Sequence, residues 1–192
     1  MKAIARLFRM TDVFLMLAAV FYALPAQAGQ PRIIVFDPPG STSTAPTAIS
    51  PAGEVTGSYN DATQTPRGFL RTADGAIVTF AYPNCAAQFG GTTFINPAGV
   101  ITGNCIDFNF ASHGFVRTAD GTVTAVDPPG STGTIVVGIN PAGVITGEYA
   151  DANSVAHGFV RAANDTLTTV DPLNSIGTNV AGIDPAGVIT GT

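Results

Sequence analysis

Tryptophan is missing from this chain of 192 residues, cysteine and histidine occur twice each, and only 11% of the residues are charged. Each shortage removes a class of protein. So few charges, beside 22 glycines and 14 prolines, count against amphipathic helices and favour short strands joined by tight turns. Apolar spacing at three and four residues is sustained nowhere after the first 28 residues. Five arginines and no lysine remain in that part, so no basic stripe follows a phosphate backbone and nucleic acid is not an expected partner. Also lacking are a Gly-x-Ser-x-Gly elbow, a His-Glu-x-x-His pair and a phosphate-cradling glycine loop ahead of a helix. The sequence therefore nominates no catalytic residue, no metal and no cofactor.

A single long apolar run exists, at residues 13–24. It follows Lys2, Arg6 and Arg9 and precedes the small residues Ala26-Gln27-Ala28. That order predicts a secretory signal peptide over residues 1–28. The run is shorter than the roughly 20 residues a membrane helix needs, and no later stretch is long enough, so no transmembrane segment is expected once the signal is removed. Losing three cations and one anion with it moves the formal charge from −5 to −7. What is left, residues 29–192, suffices for one domain with a sizeable core. The expected location is outside the cytoplasm: secreted, at the cell surface, or in a periplasm.

What the chain has in abundance is repetition. Asn140-Pro141-Ala142-Gly143-Val144-Ile145-Thr146-Gly147 returns with small changes at residues 50–57, 96–103 and 184–191. Successive prolines, Pro51, Pro97, Pro141 and Pro185, lie 46, 44 and 44 residues apart, a period that signals a repeat architecture. Ser, Asn or Asp opens each copy, Pro presets the next φ, and Gly supplies a left-handed residue. Each copy therefore reads as a hairpin corner, a type I turn with a glycine bulge. A second strand follows, then an acidic turn marked by Asp61, Asp107 and Asp151.

The third strand carries Arg67-Gly68-Phe69-Leu70-Arg71, His113-Gly114-Phe115-Val116-Arg117 and His157-Gly158-Phe159-Val160-Arg161. Phe and Arg share one face, and Leu70, Val116 or Val160 the other, so both faces are to be covered. Ala73-Asp74-Gly75 and Ala119-Asp120-Gly121 turn the chain again; Asn164-Asp165 does so in the third copy, with Asn164 expected to take the left-handed backbone. The last strand ends at a proline link, Asp127-Pro128-Pro129-Gly130 or Asp37-Pro38-Pro39-Gly40, which decays to Tyr82-Pro83-Asn84 after the first copy. Four short strands per period of about 44 residues predict an all-β, β-propeller-like array of four-stranded antiparallel blades. A β-solenoid and a two-sheet sandwich are the other architectures weighed. The repeats run over residues 41–84, 85–130 and 131–174, with a partial copy at 175–192 and a terminal strand at 33–37; on this count the array is incomplete at its C-terminus.

The Gly-Phe strand, the Asp-Gly turn and the Asp-Pro-Pro-Gly link together resemble the bacterial extracellular repeat family called HAF, after a His-Ala-Phe type motif. His113-Gly114-Phe115, His157-Gly158-Phe159 and the variant Arg67-Gly68-Phe69 carry the resemblance, with Gly where the name has Ala. It implies an exported, often surface-attached protein of uncharacterised role and supplies no catalytic residues.

Cys85 and Cys105 both fall in the second copy, and Cys105 stands where the others have Tyr59 and Tyr149. A disulfide local to that copy is expected in an exported chain, with two buried free thiols as the alternative. His113 and His157 are weak candidates for ligand binding; the structural reading has each bond the acidic turn six residues earlier, Asp107 or Asp151. Arg71, Arg117 and Arg161 are equally weak candidates, read structurally as bridges to acidic groups of the same or the next blade, with Asp127 and Asp171 as the carboxylates in view. If one copy is specialised it is the second, with its cysteines and Phe108-Asn109-Phe110. The function read from all this is a non-enzymatic exported protein presenting loops to a glycan or a cell-surface protein. A polysaccharide-acting hydrolase or lyase on the same scaffold and a purely structural surface repeat are the alternatives.

Overall fold

The computed structural model describes residues 33–82, 85 and 89–192. It divides into two compact units, residues 1–35 and 36–192. The expected signal peptide lies outside the described residues, and the second unit carries the fold.

Fourteen strands and no helix make up that unit among the described residues. The first blade holds β1 (Ser43–Ile49), β2 (Val55–Asn60), β3 (Pro66–Arg71) and β4 (Ile77–Phe80). The second holds β5 (Phe89–Ile95), β6 (Ile101–Ile106), β7 (Ser112–Arg117) and β8 (Val123–Ala125). The third holds β9 (Gly133–Ile139), β10 (Ile145–Ala150), β11 (Ala156–Arg161) and β12 (Leu167–Val170). A fourth sheet has two strands, β13 (Val180–Ile183) and β14 (Ile189–Gly191). Each complete blade is an antiparallel meander in sequence order. The expected propeller-like array of four-stranded blades is thus the fold.

Residues 33–37 are a correction: they were expected as a strand and form none. An extended segment enters a ladder only against a partner strand, and the first sheet is complete in β1 to β4 without it. Phe36 still serves the core, meeting the ring of Phe69 edge-on with centroids 5.6 Å apart.

One loop geometry makes every hairpin. At Ser50 the amide of Gly53 donates to the Ser50 carbonyl at 2.9 Å, and the Ser50 amide to the Glu54 carbonyl at 2.8 Å. Gly53, at φ 83°, forms the expected bulge. The same pair of bonds recurs at Asn96, Asn140 and Asp184, at the acidic turns and at the Asp-Gly turns. In the third copy the left-handed residue is Asp165, at φ 73°, and not the expected Asn164. The bulge position in this loop is the fourth residue, so Asp165 fills the place of Gly75 and Gly121.

Blades stack through aromatic and branched side chains. Phe69, Phe115 and Phe159 are wholly buried. Phe115 packs on Phe80, at the end of the preceding blade's β4, with centroids 6.0 Å apart; Phe159 joins Val126, just after β8, in a second cluster with Val116, Val136 and Ile145. Burying each ring contributes about 2–3 kcal/mol. Beside them Thr56, Thr102 and Thr146, also wholly buried, donate their hydroxyls to the carbonyls of Phe69, Phe115 and Phe159 at 2.9, 2.6 and 2.9 Å. A valine there would leave that carbonyl a bond short.

The first strand of each blade is bulged, and the bulge explains the glycine that closes the eight-residue motif. Between Val136 and Gly138 the register of β9 against β10 slips by one residue, which drives the Ile135 carbonyl over Gly147. A Cβ at position 147 would enter that carbonyl and the Phe159 ring. The bulge also leaves backbone groups for the neighbouring blade to satisfy. Asn104 of β6 donates to the Val136 carbonyl at 3.0 Å and accepts its amide at 2.6 Å; Glu148 of β10 accepts the Val180 amide at 3.1 Å.

Gly147→Ala is expected to lower the unfolding free energy by about 2–3 kcal/mol. Gly143→Ala, at φ 82° with only the Ala163 side chain within 3.7 Å of the new methyl, costs about 1 kcal/mol through backbone strain alone. Urea denaturation ranks the two, and equal losses would refute the bulge as the reason for Gly147.

Candidate functional site

Alternating strand directions give each blade two ends. The Pro-Ala-Gly corners and Asp-Gly turns lie at one, and the acidic turns and proline links at the other. The two sets of candidate residues separate accordingly: His113 and His157 head their strands at the link end, while Arg117 and Arg161 close the same strands four residues on, about 13 Å away. The fold does not bring the histidines and arginines into one site.

At the link end, turn chemistry sets up the electrostatics. In the acidic turns one carboxylate oxygen is spent on the backbone: Asp107 Oδ1 accepts the amides of Asn109 and Ala111 at 2.8 and 2.9 Å, and Asp151 Oδ1 those of Asn153 and Val155, both at 2.8 Å. The other oxygen faces the head of the third strand. There Arg67 Nε meets Asp61 Oδ2 at 2.8 Å, and the Nε2 atoms of His113 and His157 approach Asp107 and Asp151 at 3.6 and 3.7 Å. The contact with the acidic turn was expected, but the shorter bond was not. His113 Nδ1 lies 3.0 Å from Asp127, and His157 Nδ1 2.7 Å from Asp171. These link aspartates also accept the next backbone amides, Gly114 at 3.0 Å and Gly158 at 3.3 Å. Each imidazole is therefore held between two carboxylates, one per ring nitrogen. Tyr149 stacks on His157 with centroids 5.1 Å apart.

Charge follows from that placement. Bonding to Asp171 raises the pKa of His157 above its ordinary 6.5, against a smaller effect of desolvation, and Asp151 adds to the rise. Asp107 and Asp151 are held below the ordinary carboxylate value, first by the amides of Ala111 and Val155. Asp61 is lowered furthest, by the Thr63 hydroxyl and then Arg67. Arginine fills the equivalent place at position 67 and pairs with the equivalent carboxylate, Asp61.

Arg161 meets an acidic group of its own blade, as expected, but Asp127 and Asp171 are a correction, since those carboxylates bond the histidines. Arg71 lies over the Phe36 ring at 5.3 Å and Arg117 over Phe80 at 5.6 Å, both as cation–π contacts. Arg117 and Arg71 donate to the carbonyls of Thr118 and Thr72 at 3.3 Å, and Arg161 pairs with Asp165 in its own third hairpin. For Arg161 the negative partner thus comes from the Asn164-Asp165 turn, four residues on. The buried Nε of Arg117 has no hydrogen-bond partner.

Cys85 and Cys105 are joined, with Cα atoms 6.1 Å apart, as expected. The register places Cys105 opposite His113, where Tyr59 and Tyr149 stand opposite Arg67 and His157. The same blade carries Phe108 and Phe110, 61% and 71% exposed, and Phe110 takes the left-handed loop position at φ 64° that Gln64 and Ser154 fill elsewhere. Two features escaped sequence reasoning. The partnership of Asn104 and Glu148 with the next blade was hidden because the two differ in type. The His–Asp link bond was readable from the joint loss of His and Asp in the first copy, Arg67 with Ala81. Among the described residues, three clefts between blades measure about 180 Å³ at the link end between the second and third, about 190 Å³ at their corner end, and about 280 Å³ at the corner end between the first and second. Enclosed ligand pockets are usually about 300 Å³ or more.

The fold and its charged clusters define a class: an array of antiparallel β-blades, each closing its own ion pairs. No family model matches the chain, and no curated protein matches it. Among solved structures it is similar to selenomethionine-substituted virginiamycin B lyase from Staphylococcus aureus, at a TM-score of 0.46 and 16% identity. The match covers 76% of this chain and 54% of that one, so the chain spans about half the length of that enzyme. At that score and identity the likeness says nothing of activity.

Two measurements check these placements. His157 is expected to titrate above 6.5 by NMR, and Asp171→Asn to bring it back down; a raised pKa means that its stabilising contact is fully present below 6.5 and lost as pH rises through the folded value. Reducing the Cys85–Cys105 bridge, which closes a separation of 20 residues, is expected to cost about 3 kcal/mol; a loss under about 1 kcal/mol would show that residues 85–105 stay ordered unaided.

Proposed function

We propose that this chain is an exported, non-enzymatic repeat protein of the HAF type that presents its link-end loops to a glycan or a protein at the cell surface. One observation carries the proposal. The ionisable groups that recur at the heads of the third strands are closed into pairs inside their own blades, whereas two residues that set the second copy apart, Phe108 and Phe110, stand out at a loop tip. His113 and His157 have both ring nitrogens against carboxylates, so neither offers a free base. Phe108 and Phe110, by contrast, are exposed on the turn where the other copies carry Ala62, Gln64, Ala152 and Ser154. Aromatic faces suit the apolar faces of sugar rings and the side chains of a protein partner alike. An extracellular or periplasmic setting accords with the disulfide, and the basic, apolar and small-residue order of residues 1–28 supports export.

A glycan array and a pull-down from cell-surface extract, each with turnover of every hit followed, test the reading. Binding without turnover is expected, weakened at least about tenfold (about 1.4 kcal/mol) by Phe108→Ala with Phe110→Ala, while urea stability is unchanged, because both rings are exposed and alanine keeps the Cβ that the left-handed backbone strains. Turnover of a polysaccharide would replace this reading with a lyase or hydrolase. Absence of any hit would leave a structural repeat.

A further inference from the structure

The three junctions between successive blades are tied in two different ways. In the second blade the imidazole of His113 touches the acidic turn through Nε2, 3.6 Å from Asp107, and the following link through Nδ1, 3.0 Å from Asp127. In the third, His157 makes the same two contacts at 3.7 and 2.7 Å, to Asp151 and Asp171. In the first blade the residue aligned with Asp127 is Ala81, and Arg67 reaches only the turn, through Asp61. The link that follows Ala81 is tied instead by Cys85 to Cys105 of the next blade. Three changes, His to Arg, Asp to Ala and Tyr to Cys, thus fall on one junction.

We propose that His113 and His157 are proton-operated bridges between the acidic turn and the inter-blade link of their blades, and that the first junction, held by a disulfide and a permanently charged arginine, does not respond to pH. The reason lies in the donor inventory. An imidazolium donates from both nitrogens, a neutral imidazole from one. The remaining proton stays on Nδ1, where the bond is shorter and the link carboxylate is already fixed by the Gly114 or Gly158 amide. Nε2 then turns a lone pair toward the carboxylate of the turn, and attraction becomes repulsion. Deprotonation therefore frees the turn and leaves the link in place.

The charged and titratable groups around each ring are few. Asp107 and Asp127 face His113, with Cys105 opposite it on β6 and held in the disulfide. Asp151, Asp171 and the Tyr149 phenol face His157, whose neighbour Glu148 is engaged by the Val180 amide. The raised pKa of His157 fits the geometry: its bridge is complete below 6.5 and opens as pH rises through the higher folded value. Asp151 and Asp171 are lowered below 3.8, so the bridge is lost at the acid end only beneath the ordinary carboxylate range. Turn 107–111, which holds Phe108 and Phe110, is the one that His113 meets through Nε2.

Hydrogen exchange of the full chain at about pH 5.5 and about pH 8.5, corrected for intrinsic rates and run with and without reductant, tests the proposal. The Ala111 and Val155 amides, which Asp107 and Asp151 accept, should exchange on the order of tenfold faster at the higher pH, while the matching Thr65 amide on Asp61 does not change. Reductant should raise exchange around Ala81 and Tyr82 and leave the pH response of Val155 as it was. His157→Arg, which copies the first blade, should abolish the response of Val155 without slowing folding. An equal pH response at Thr65, Ala111 and Val155, or a response that survives His157→Arg, would overturn the proposal.

Discussion

Each complete blade places a phenylalanine ring, Phe69, Phe115 or Phe159, where almost no solvent reaches it, and much of the fold follows from making room for that ring. The residue before it has to be glycine: a Cβ at Gly114 or Gly158 would enter the carbonyl of Val126 or Val170. The strand beside it needs a second glycine, Gly103 or Gly147, against whose Cα the edge of the ring rests. The carbonyl of the phenylalanine itself, cut off from water, is satisfied by a threonine hydroxyl from the same neighbouring strand. Finally the ring needs a cover from the preceding blade. Phe80 and Val126 provide it and are 8% and 1% exposed, whereas Val170, in the same position beside the two-stranded fourth sheet, is 40% exposed. Burial of that residue thus depends on the third-strand ring of the blade that follows.

Such a contact links nearest neighbours only, and stability in arrays of this kind is approximately a sum of repeat and interface terms. That independence allows the junctions to differ. Asn104 grips both backbone groups of Val136, Glu148 grips the single amide of Val180, and at the first junction Thr47 accepts the Thr93 amide at 3.2 Å. Three unlike side chains answer the same question, which is where the backbone polar groups beside a bulge find a partner. None of the three needs the others to change.

The architecture was readable because its causes are local. Turn residues with fixed φ requirements recur at a fixed period, and Gly53, Gly99, Gly143 and Gly187 adopt the positive φ that their place in the motif demands. The disulfide was readable as well, since Cys85 and Cys105 break the repeat within one copy. Pairings across the sheet were less so. Six residues along the chain suggested that His113 meets Asp107, but Asp127 comes closer because β7 and β8 fold back to set the link beside the strand head. Arg117 was assigned a carboxylate and instead rests on an aromatic ring from the preceding blade, a contact that no spacing within one copy encodes. The residues 33–37 look like a strand by composition, yet strand is a property of two segments and not of one.

The second blade illustrates how a repeat acquires individuality without losing its fold. Its neighbours carry tyrosine at position two of the strand-head pair, and the ring of Tyr149 supports the imidazole of His157 by stacking. Cysteine in that place removes the ring and with it the stacking, but Cys105 is wholly buried and tied to the link, so a covalent bond supplies the order that the ring gave elsewhere. The loop two residues further on puts a phenylalanine in the left-handed place that Gln64 and Ser154 fill in the other copies, at a cost of about 1–2 kcal/mol. A residue that costs stability and gains no burial is not explained by packing, because Phe110 covers no core. Strain of this sort persists where the surrounding backbone over-determines the loop, and here the two Asp107 bonds and the ladder from Ile106 to Ser112 do so. Gln64 and Ser154 hold the same left-handed place in blades without that disulfide, so the acidic turn sets this backbone by itself, and what distinguishes the second blade is that its turn carries two apolar rings into solvent.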